Sequence, residues 1–365
     1  MIGVPSNPDQ ATPSWFTSVL RAEGVLGPDA EVVDVKSAEV GNGLVGMSIR
    51  FELSYRGLSG DTPPASVVGK FPTTDPAYRA AASAELVYQR ELLFYRTLAP
   101  TLDVRTPGCV HIAQDGSDFV LLLEDLGPAV GGDQIAGCTL ARAESAMDAA
   151  VGLHAPAWGA AGLEDTEWNM RGSWLPRVAV SYPELFKQFA AAFADRLSPE
   201  DLAIGEAFAP VVGAWFAGQP KPWTVMHGDF RLDNMLFDIL GGAEPIGVLD
   251  WQTINPGPGT ADVSYFIGGC LPSELRRPNE QRLLLRYHDG LLAAGVRDYS
   301  WEQCQQDYRY NAFLGYFMAS YSPLLVRRSA RGDTMFATWL SRAAEQIRDL
   351  NALELLEGLP RADSV

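Results

Sequence analysis

The chain has 365 residues, of which 47% are hydrophobic, and a formal net charge of −17. This length and apolar content suit a globular protein of two lobes, and the negative charge argues against a nucleic-acid partner, which would need a basic surface. No apolar run reaches the ~18 residues of a membrane span, and the polar start of the chain is unlike a signal peptide. The widely spaced cysteines predict free thiols in a reducing cytoplasm: Cys109, Cys138, Cys270 and Cys304.

The first part of the chain predicts one helix and then two strands around a glycine-rich loop. Residues Pro13 to Glu23 place apolar side chains on one helical face. Two apolar runs follow, Val32 to Val40 and Met47 to Tyr55, and the second alternates as a strand does. The segment between them, called the glycine loop below, has the spacing G-x-G-x-x-G: Gly41, Gly43 and Gly46. A loop of this kind between antiparallel strands differs from a dinucleotide-binding unit, where a helix would follow.

The next elements bring charged residues into apolar surroundings. Ser66 to Phe71 is a predicted short strand that carries Lys70 among apolar neighbours. Ala77 to Leu98 is a predicted long helix that contains Glu85 and Glu91. Solvated surface charges are the alternative interpretation, and the neighbours of Lys70 disfavour it.

A change of composition near residue 126 predicts a boundary. Two apolar runs around Asp115-Gly116 predict a strand pair, and Glu124-Asp125-Leu126-Gly127 follows it. Further glycines then indicate a linker. Beyond it the chain is mostly helical, with an irregular segment before Pro183. Helices are predicted at Leu140 to His154, Pro183 to Arg196, Pro199 to Phe216, Pro278 to Ala294, Ser300 to Tyr321 and Thr334 to Leu356.

The most informative polar residues stand between these helices. The loop that begins at His227 contains Asp229 and Asn234, and Asp250 follows sixteen residues after Asn234. Phosphoryl transfer uses one carboxylate to orient the accepting hydroxyl and take its proton, and an asparagine and a second aspartate to hold Mg²⁺. Apolar runs on either side of Gly241-Gly242 predict a β-hairpin, with Asn234 and Asp250 at its opposite ends.

These residues resemble a known superfamily. His227 through Asn234 is similar to the catalytic loop of the aminoglycoside phosphotransferases and choline kinases, the small-molecule branch of the protein-kinase-like fold. Asp250-Trp251-Gln252 stands where protein kinases have Asp-Phe-Gly. Together with Leu153-His154-Ala155 and residues 262–266, it resembles the ecdysteroid-kinase-like and choline-kinase-like subgroup. The resemblance implies a bilobal α+β fold, with an antiparallel-sheet lobe at 1–126 and a mostly helical lobe at 127–365.

For the first lobe, the resemblance implies ATP binding. The backbone of the glycine loop would cover the phosphates, and Lys70 would contact them while paired with a helix glutamate. Glu91 is the predicted partner and Glu85 the alternative. Backbone groups near Glu124 and Leu126 would hold the adenine ring. Preference for ATP over GTP stays open.

For the second lobe, the resemblance implies the chemistry. Asp229 would be the catalytic base, and Asn234 and Asp250 would hold Mg²⁺. Asp262 would accept hydrogen bonds from the backbone of the catalytic loop, or serve as a plain helix cap. His227 is predicted to have a structural role beneath the metal-binding segment.

The sequence does not name the acceptor, which the resemblance implies is a small molecule with a hydroxyl group. Aromatic residues crowd the predicted helix between Tyr308 and Tyr321, either as core or as the wall of a pocket for apolar or cationic groups. We expect a lipophilic or amine-bearing acceptor. A nucleotide-binding pseudokinase or scaffold without turnover, and an aminoglycoside or sugar phosphotransferase, are the alternatives. The oligomeric state stays open.

Overall fold

The chain divides into two units in the computed structural model, which describes residues 2–41, 46–59, 62–75, 79, 86–326 and 328–361. Unit 1 contains residues 1–100 and 106–127, and unit 2 contains residues 101–105 and 128–365. The short segment 101–105 therefore belongs to unit 2 although unit 1 continues after it.

Unit 1 is built on an antiparallel sheet whose five strands have the spatial order β1-β2-β3-β5-β4. The strands are β1 (Glu31–Glu39), β2 (Gly46–Arg56), β3 (Ser66–Pro72), β4 (Cys109–Asp115) and β5 (Asp118–Glu124). The helix Pro13–Ala22 begins after Thr12, whose hydroxyl accepts from the backbone N–H of Trp15, and has proline at its first position. Its buried face packs on the sheet, where the rings of Phe16 and Phe51 lie 5.1 Å apart.

The helix that carries Glu91 is shorter than the sequence predicts. Among the described residues, Val87–Leu93 is α-helical and Phe94–Leu98 continues as one π-helical turn. Residues 80–85, and with them the alternative partner Glu85, lie outside the described residues. The buried residues Tyr88, Leu92 and Phe94 fix this helix in unit 1.

Unit 2 is mostly helical in its described residues. The longer helices are Leu140–His154, Arg171–Phe193, Pro199–Phe208, Val212–Ala217, Gly259–Cys270, Ser273–Ala293, Trp301–Tyr310, Phe313–Tyr321 and Ala330–Asp349. Short strands form two small antiparallel sheets, β6-β8-β9 and β7-β10: β6 (Val130–Gly131), β7 (Thr224–Met226), β8 (Met235–Asp238), β9 (Glu244–Val248) and β10 (Asn255–Gly257). Within the described ranges, every helix is too short or too polar to cross a membrane.

The segment predicted to be irregular before Pro183 is helical from Arg171 onward. The helix Arg171–Phe193 includes both Pro176 and Pro183. Its buried residues recur every three or four positions: Val178, Tyr182, Phe186, Phe189 and Phe193. Burial of these side chains outweighs the cost of proline inside a helix, which is about 3 kcal/mol.

The single helix predicted from Ser300 to Tyr321 is two helices with a break near Asn311. The Asn311 side-chain amide donates to the backbone oxygen of Asp307 at 2.8 Å and to the hydroxyl of Thr260 at 3.0 Å. Because asparagine side chains compete with the helical backbone for hydrogen bonds, the first helix ends at Tyr310. The second begins at Phe313.

Most of the aromatic residues in these two helices are core residues. Tyr308, Phe313, Tyr316 and Phe317 are buried, and the latter three belong to one cluster with residues of the helix Arg171–Phe193. The pocket interpretation of the Tyr308–Tyr321 segment is therefore wrong for these four side chains. Only Tyr310 and Tyr321 of the aromatic set are half-buried.

Candidate active site

Asn234 and Asp250 lie at the same end of the β-hairpin, not at opposite ends as the sequence predicts. Met235 of β8 pairs with Val248 of β9, and the backbone N–H of Leu249 donates to the backbone oxygen of Asn234 at 2.9 Å. The chain reverses at the turn Ile239–Gly242. The residues just before β8 and just after β9 are therefore neighbours at the open end.

Asp262 clamps the backbone of the catalytic loop. One of its carboxylate oxygens accepts from the N–H of His227 at 2.6 Å, and the other from the N–H of Gly228 at 3.0 Å. The side chain is fully buried in the first turn of the helix Gly259–Cys270. Gly228 has φ +79°, and a Cβ there would lie 2.5 Å from the backbone oxygen of Thr253. Only glycine fits this bend, so Asp262 receives both amides from a fixed turn.

His227 uses both of its ring nitrogens inside the loop. Its Nε2 lies 2.8 Å from the backbone oxygen of Leu249, and its Nδ1 lies 3.2 Å from the backbone N–H of Asp229. This pattern fits the tautomer with hydrogen on Nε2. The ring packs on Trp251, with 4.7 Å between centroids. The side chain thus joins the loop to the residue before Asp250 and has a structural environment.

The carboxylate of Asp229 is surrounded by hydrogen-bond donors. The Nε of Arg231 lies 3.1 Å from both oxygens. The hydroxyl of Tyr265 donates to Oδ1, and the amide of Asn234 donates to Oδ2 at 2.8 Å. Only 17% of the Asp229 side chain is exposed. Arg231 and Tyr265 were not singled out from the sequence, although both lie in stretches that carry the resemblance.

These donors determine the charge of Asp229. Burial alone would raise its pKa, but the charge of Arg231 and the hydrogen bond from Tyr265 outweigh burial and hold the pKa below its ordinary value. Burial and the neighbouring Asp229 carboxylate raise the pKa of Tyr265. The carboxylate is therefore ionised and the phenol neutral at pH 7, which is the state needed to accept a proton from an alcohol.

Asn234 and Asp250 have the donor chemistry that Mg²⁺ prefers. Both N–H groups of the Asn234 amide face Asp229, one toward its backbone oxygen at 2.9 Å, so the amide oxygen points away from it. Asp250 is held in a left-handed conformation (φ +68°, ψ +67°), and Gln252 donates to its Oδ2 at 2.9 Å. Oxygen ligands from one amide and one carboxylate suffice for Mg²⁺ when phosphate oxygens and water complete the shell. The residues present fit the ion.

In unit 1, Lys70 forms an ion pair with Glu91. The Lys70 Nζ lies 2.5 Å from Oε1 of Glu91, and the two side chains are 19% and 5% exposed. Position 69, next to Lys70 in β3, has no room for a side chain. A Cβ there would lie 2.8 Å from the ring of Phe71 and 2.9 Å from that of Phe51. Two adjacent buried rings thus enforce glycine beside the lysine.

The glycine loop is described only at its two ends. Gly41 has φ +78°, and Gly46 begins β2 where a Cβ would lie 3.0 Å from the backbone oxygen of Phe71. Gly43 falls within residues 42–45, outside the described residues. The two described glycines therefore stand where a side chain would be strained or crowded.

The segment after β5 is organised by Asp125, which sequence reasoning passed over. Its carboxylate accepts from Ser66 at 2.7 Å, from Arg50 at 2.9 Å and from the N–H of Gly127 at 3.0 Å. Burial would raise its pKa, and hydrogen bonds from Arg50 and Ser66 lower it below the ordinary value. Glu124 contributes its carboxylate to the N–H of Gly108 at 2.9 Å, and Leu126 is 2% exposed. The backbone beside the predicted adenine position is thus fixed within unit 1.

A family model described as the phosphotransferase enzyme family, APH, matches residues 60–306, more than half of the chain. The chain belongs to this family. The match includes the catalytic loop, Asp262 and the strand with Lys70, but not the glycine loop. The prediction of a phosphotransferase that acts on an alcohol group is confirmed at this level.

Several solved structures are similar to this phosphotransferase. A microcompartment-associated aminopropanol kinase has a TM-score of 0.50 and 15% identity, with 93% of this chain and 99% of that chain covered. A Plasmodium vivax ethanolamine kinase has a TM-score of 0.49 and 11% identity, with 96% and 92% covered. ADP-bound aminoglycoside phosphotransferase APH(2'')-Ib has a TM-score of 0.44 and 16% identity, with 87% and 95% covered. A search of curated proteins gave no match.

The predicted superfamily and the bilobal, kinase-like α+β fold are confirmed. The finer placement in the ecdysteroid-kinase-like subgroup stays a prediction. So do the site roles assigned from the sequence.

Proposed function

We propose that this phosphotransferase transfers the γ-phosphate of ATP to a hydroxyl group of a small molecule, with Asp229 as the catalytic base. The observation that carries the proposal is the environment of Asp229. An ionised carboxylate, kept partly exposed, stands in a loop that Asp262 holds by its backbone. A purely structural aspartate would not need such a fixed support.

Asp229 would orient the acceptor hydroxyl and take its proton. The hydroxyl oxygen forms the new bond to phosphorus, and the bond from phosphorus to the β-phosphate oxygen breaks. ADP leaves with that electron pair, and the proton ends on the Asp229 carboxylate. Because the transition state is largely dissociative, the base contributes more through orientation than through basicity. A carboxylate with a low pKa is therefore adequate.

Asn234 and Asp250 would hold Mg²⁺ through the Asn234 amide oxygen and the Asp250 carboxylate. When bound, the ion neutralises charge on the phosphate oxygens. The protein's own contribution is position, since the hairpin register brings both residues to one end. Gln252 and the contacts of the Asn234 amide orient the two groups beforehand.

Unit 1 would bind the nucleotide. Lys70 would contact the phosphates, held by Glu91, and the glycine loop would cover them. Backbone groups near Glu124 and Leu126 would hold adenine. We accordingly propose residues 1–126 as the nucleotide-binding domain and residues 127–365 as the domain for catalysis and the acceptor.

For the acceptor, we propose a lipophilic or amine-bearing alcohol. With the aromatic core residues excluded, support comes from a smaller group. Trp174 and Tyr321 are half-buried, with 6.3 Å between ring centroids, and Trp174 packs edge-on against Phe216 at 5.2 Å. Partly exposed rings favour apolar groups and cations, and the net charge of −17 favours amines.

A screen of hydroxylated compounds tests the proposal. The full-length protein is incubated with ATP, Mg²⁺ and pools of amino alcohols, lipophilic alcohols, aminoglycosides and sugars, and ADP release is measured. Mass measurement of the product then locates an added phosphate. Phosphorylation confined to neutral sugars would contradict the acceptor class. Absence of ADP release with every pool would favour the pseudokinase alternative.

A further inference from the structure

The chain that follows β6 lies alongside the second half of the catalytic loop. The backbone N–H of Gly132 donates to the backbone oxygen of Met235 at 3.0 Å. A Cβ at Gly132 would lie 2.1 Å from the backbone oxygen of Leu232, so only glycine lets the two segments lie this close. The backbone N–H of Gln134 then donates to Oδ1 of Asp233 at 3.0 Å. The two segments are therefore bonded to each other at several successive positions.

The side chain of Gln134 caps a turn of the catalytic loop. Residues Leu232–Asn234 form a 3-10 turn, and within the described part of the chain the residue before it, Arg231, gives this turn no side-chain cap. The Oε1 of Gln134 accepts from the N–H of Leu232, the first amide of the turn, at 3.2 Å. The first amides of a helical turn lack partners inside it. Gln134 thus supplies the capping acceptor from 98 residues away along the chain.

Gln134 is itself held by two of the helices of unit 2. Its side chain is fully buried, and its Nε2 donates to the backbone oxygen of Gly269 at 2.9 Å. The thiol of Cys270 donates to its Oε1 at 3.3 Å. From the last long helix, Nη1 of Arg342 donates to the backbone oxygen of Gln134 at 2.9 Å. Both the amide group and the backbone of Gln134 are therefore fixed before they reach the loop.

The capped turn carries Asn234 at its end. The N–H groups of the Asn234 amide face Asp229, at 2.9 Å from its backbone oxygen and 2.8 Å from Oδ2. A shift of the turn would move this amide away from Asp229 and move its oxygen away from the proposed metal position. A displacement of about 1 Å at a reacting centre can cost about 10²-fold in rate. Packing alone would be served by an apolar side chain, whereas Gln134 bonds to the loop through its buried amide.

We propose that Gln134 is a positioning residue for phosphoryl transfer, which holds the turn Leu232–Asn234 so that Asn234 faces both Asp229 and Mg²⁺. The inference rests on the proposed function, in which Asn234 is a ligand of Mg²⁺. Gln134 contacts neither substrate nor metal and acts through the N–H of Leu232. Substitution of a residue that orients a metal ligand typically lowers metal affinity by about 10- to 100-fold. Gln134 orients the turn and not the ligand's own side chain, so its effect belongs at the lower end.

Calorimetry on the full-length protein tests this without any acceptor. ATP affinity is measured with Mg²⁺ and with a chelator, and the ratio of the two affinities is the Mg²⁺ gain. Gln134→Met replaces the amide by an apolar chain of similar length, and we expect it to lower the Mg²⁺ gain by about tenfold. Gly132→Ala should lower the gain as well, because the added Cβ displaces the same turn. ATP affinity in the chelator should stay unchanged in both variants.

A double-mutant cycle shows whether Gln134 acts through Asn234. Residues that act through one another have non-additive effects. Once Asn234→Ala has removed the ligand, adding Gln134→Met should lower the Mg²⁺ gain further by less than about twofold. Losses that add in full would refute the route through Asn234.

Gln346→Met is the matched control. Gln346 is 1% exposed, its Nε2 donates to the hydroxyl of Tyr308 at 2.7 Å, and among the described residues it bonds to none of the catalytic loop. Its substitution should lower the Tm about as much as Gln134→Met does and keep the Mg²⁺ gain. A lost gain in Gln346→Met would refute the inference, because general destabilisation would then explain both results.

The same measurements separate this inference from the proposed function. A gain lowered in Asn234→Ala but unchanged in Gln134→Met would refute only the role of Gln134. A parent protein without any Mg²⁺ gain would refute the proposed metal site, and the role of Gln134 with it.

Discussion

Asp229, at the tip of the catalytic loop, and Asp262, which holds the base of that loop, differ in burial and in their hydrogen-bond partners. At the base, Asp262 is fully buried and accepts from two backbone amides. At the tip, Asp229 is partly exposed, and its hydrogen bonds from the described residues all come from side chains. Backbone donors in a fixed turn keep their positions, whereas side-chain donors can change rotamer. The base thus supplies position, and the tip supplies a group whose partners can change.

The largest effect should come from Asp229→Asn. The amide cannot accept the acceptor proton, so kcat should fall about 10²- to 10⁴-fold, the usual contribution of a positioned base. Mg-ATP affinity should change less than about twofold, because the residues proposed to contact the nucleotide are others. Turnover and calorimetric titration measure the two quantities.

Asp238→Asn is the control for that experiment. Asp238 lies four residues after Asn234, its side chain is 61% exposed, and its partner Arg142 is at 3.1 Å on the surface. Near-normal turnover is expected. Near-normal turnover in Asp229→Asn as well would remove Asp229 from the catalytic role and end the distinction between tip and base.

Substitution of Asp262 should lower the stability of the fold more than substitution of Asp229 does. In Asp262→Asn, the amide nitrogen faces one backbone N–H that loses its acceptor, which costs about 2 to 4 kcal/mol for a buried charge-assisted pair. The Tm should fall by several degrees, and turnover should fall with it. Asp229→Asn should lower the Tm much less. Equal losses of Tm in the two variants would show that both carboxylates are structural.

Substitutions of the two proposed metal ligands should differ in the size of their effect on ATP affinity. Asp250→Ala should lose the Mg²⁺ dependence of ATP affinity, since a charged ligand disappears, and Asn234→Ala should weaken it more mildly. Affinity for Mg-ATP, measured against ATP with a chelator, reads this out. Asp250→Ala with an affinity as tight as that of the parent would rule out Asp250 as a ligand.

The smallest expected effect concerns a third carboxylate, Asp307, which is compared here with Asp229 and Asp262. Asp307 is buried beside Cys304 and accepts from Tyr299 at 3.0 Å, and burial raises its pKa to about 6. A raised acid pKa means that the folded state binds the proton more tightly, so stability is lost as pH rises from about 4 to above 6. Asp307→Asn should therefore raise the free energy of unfolding at pH 8 by on the order of 2 kcal/mol, measured by denaturant titration. This advantage should disappear toward pH 4.

The exposed Asp289→Asn, with a side chain 68% exposed, should change nothing at either pH. A pH-independent effect of Asp307→Asn would show that packing, and not ionisation, governs this position. Comparing the pKa of Asp307 with that of Asp229 then shows how far neighbouring donors can offset the rise in pKa that burial causes.

Local spacing made much of the catalytic loop predictable. His227, Asp229 and Asn234 are close in sequence, so their proximity follows from the chain itself. Tyr265 was also within reach, because it follows Asp262 by three residues on one helix and so lies on the same face. The contact between Arg231 and Asp229 was not predictable, because it depends on the side-chain rotamer of Arg231, which follows the bend at Gly228.

The wrong predictions come from sequence patterns that suit two different local structures equally well. Aromatic residues at helical spacing suit a pocket as well as a core, and Phe313 and Phe317 belong to the core. A proline usually starts a helix, yet Pro183 lies well inside one because buried rings dominate. The ends of the hairpin were misplaced because sequence order alone does not show which ends of the two strands meet.

The bond between Asn311 and Thr260 makes the catalytic loop dependent on a distant part of the chain. Thr260 lies two residues before Asp262, and Asn311 marks the break between two C-terminal helices. The residues matched by the family model end at 306, so this tether is anchored outside them. A change at Asn311 can therefore shift Thr260 and the start of the helix that carries Asp262, although Asn311 itself lies outside the matched residues.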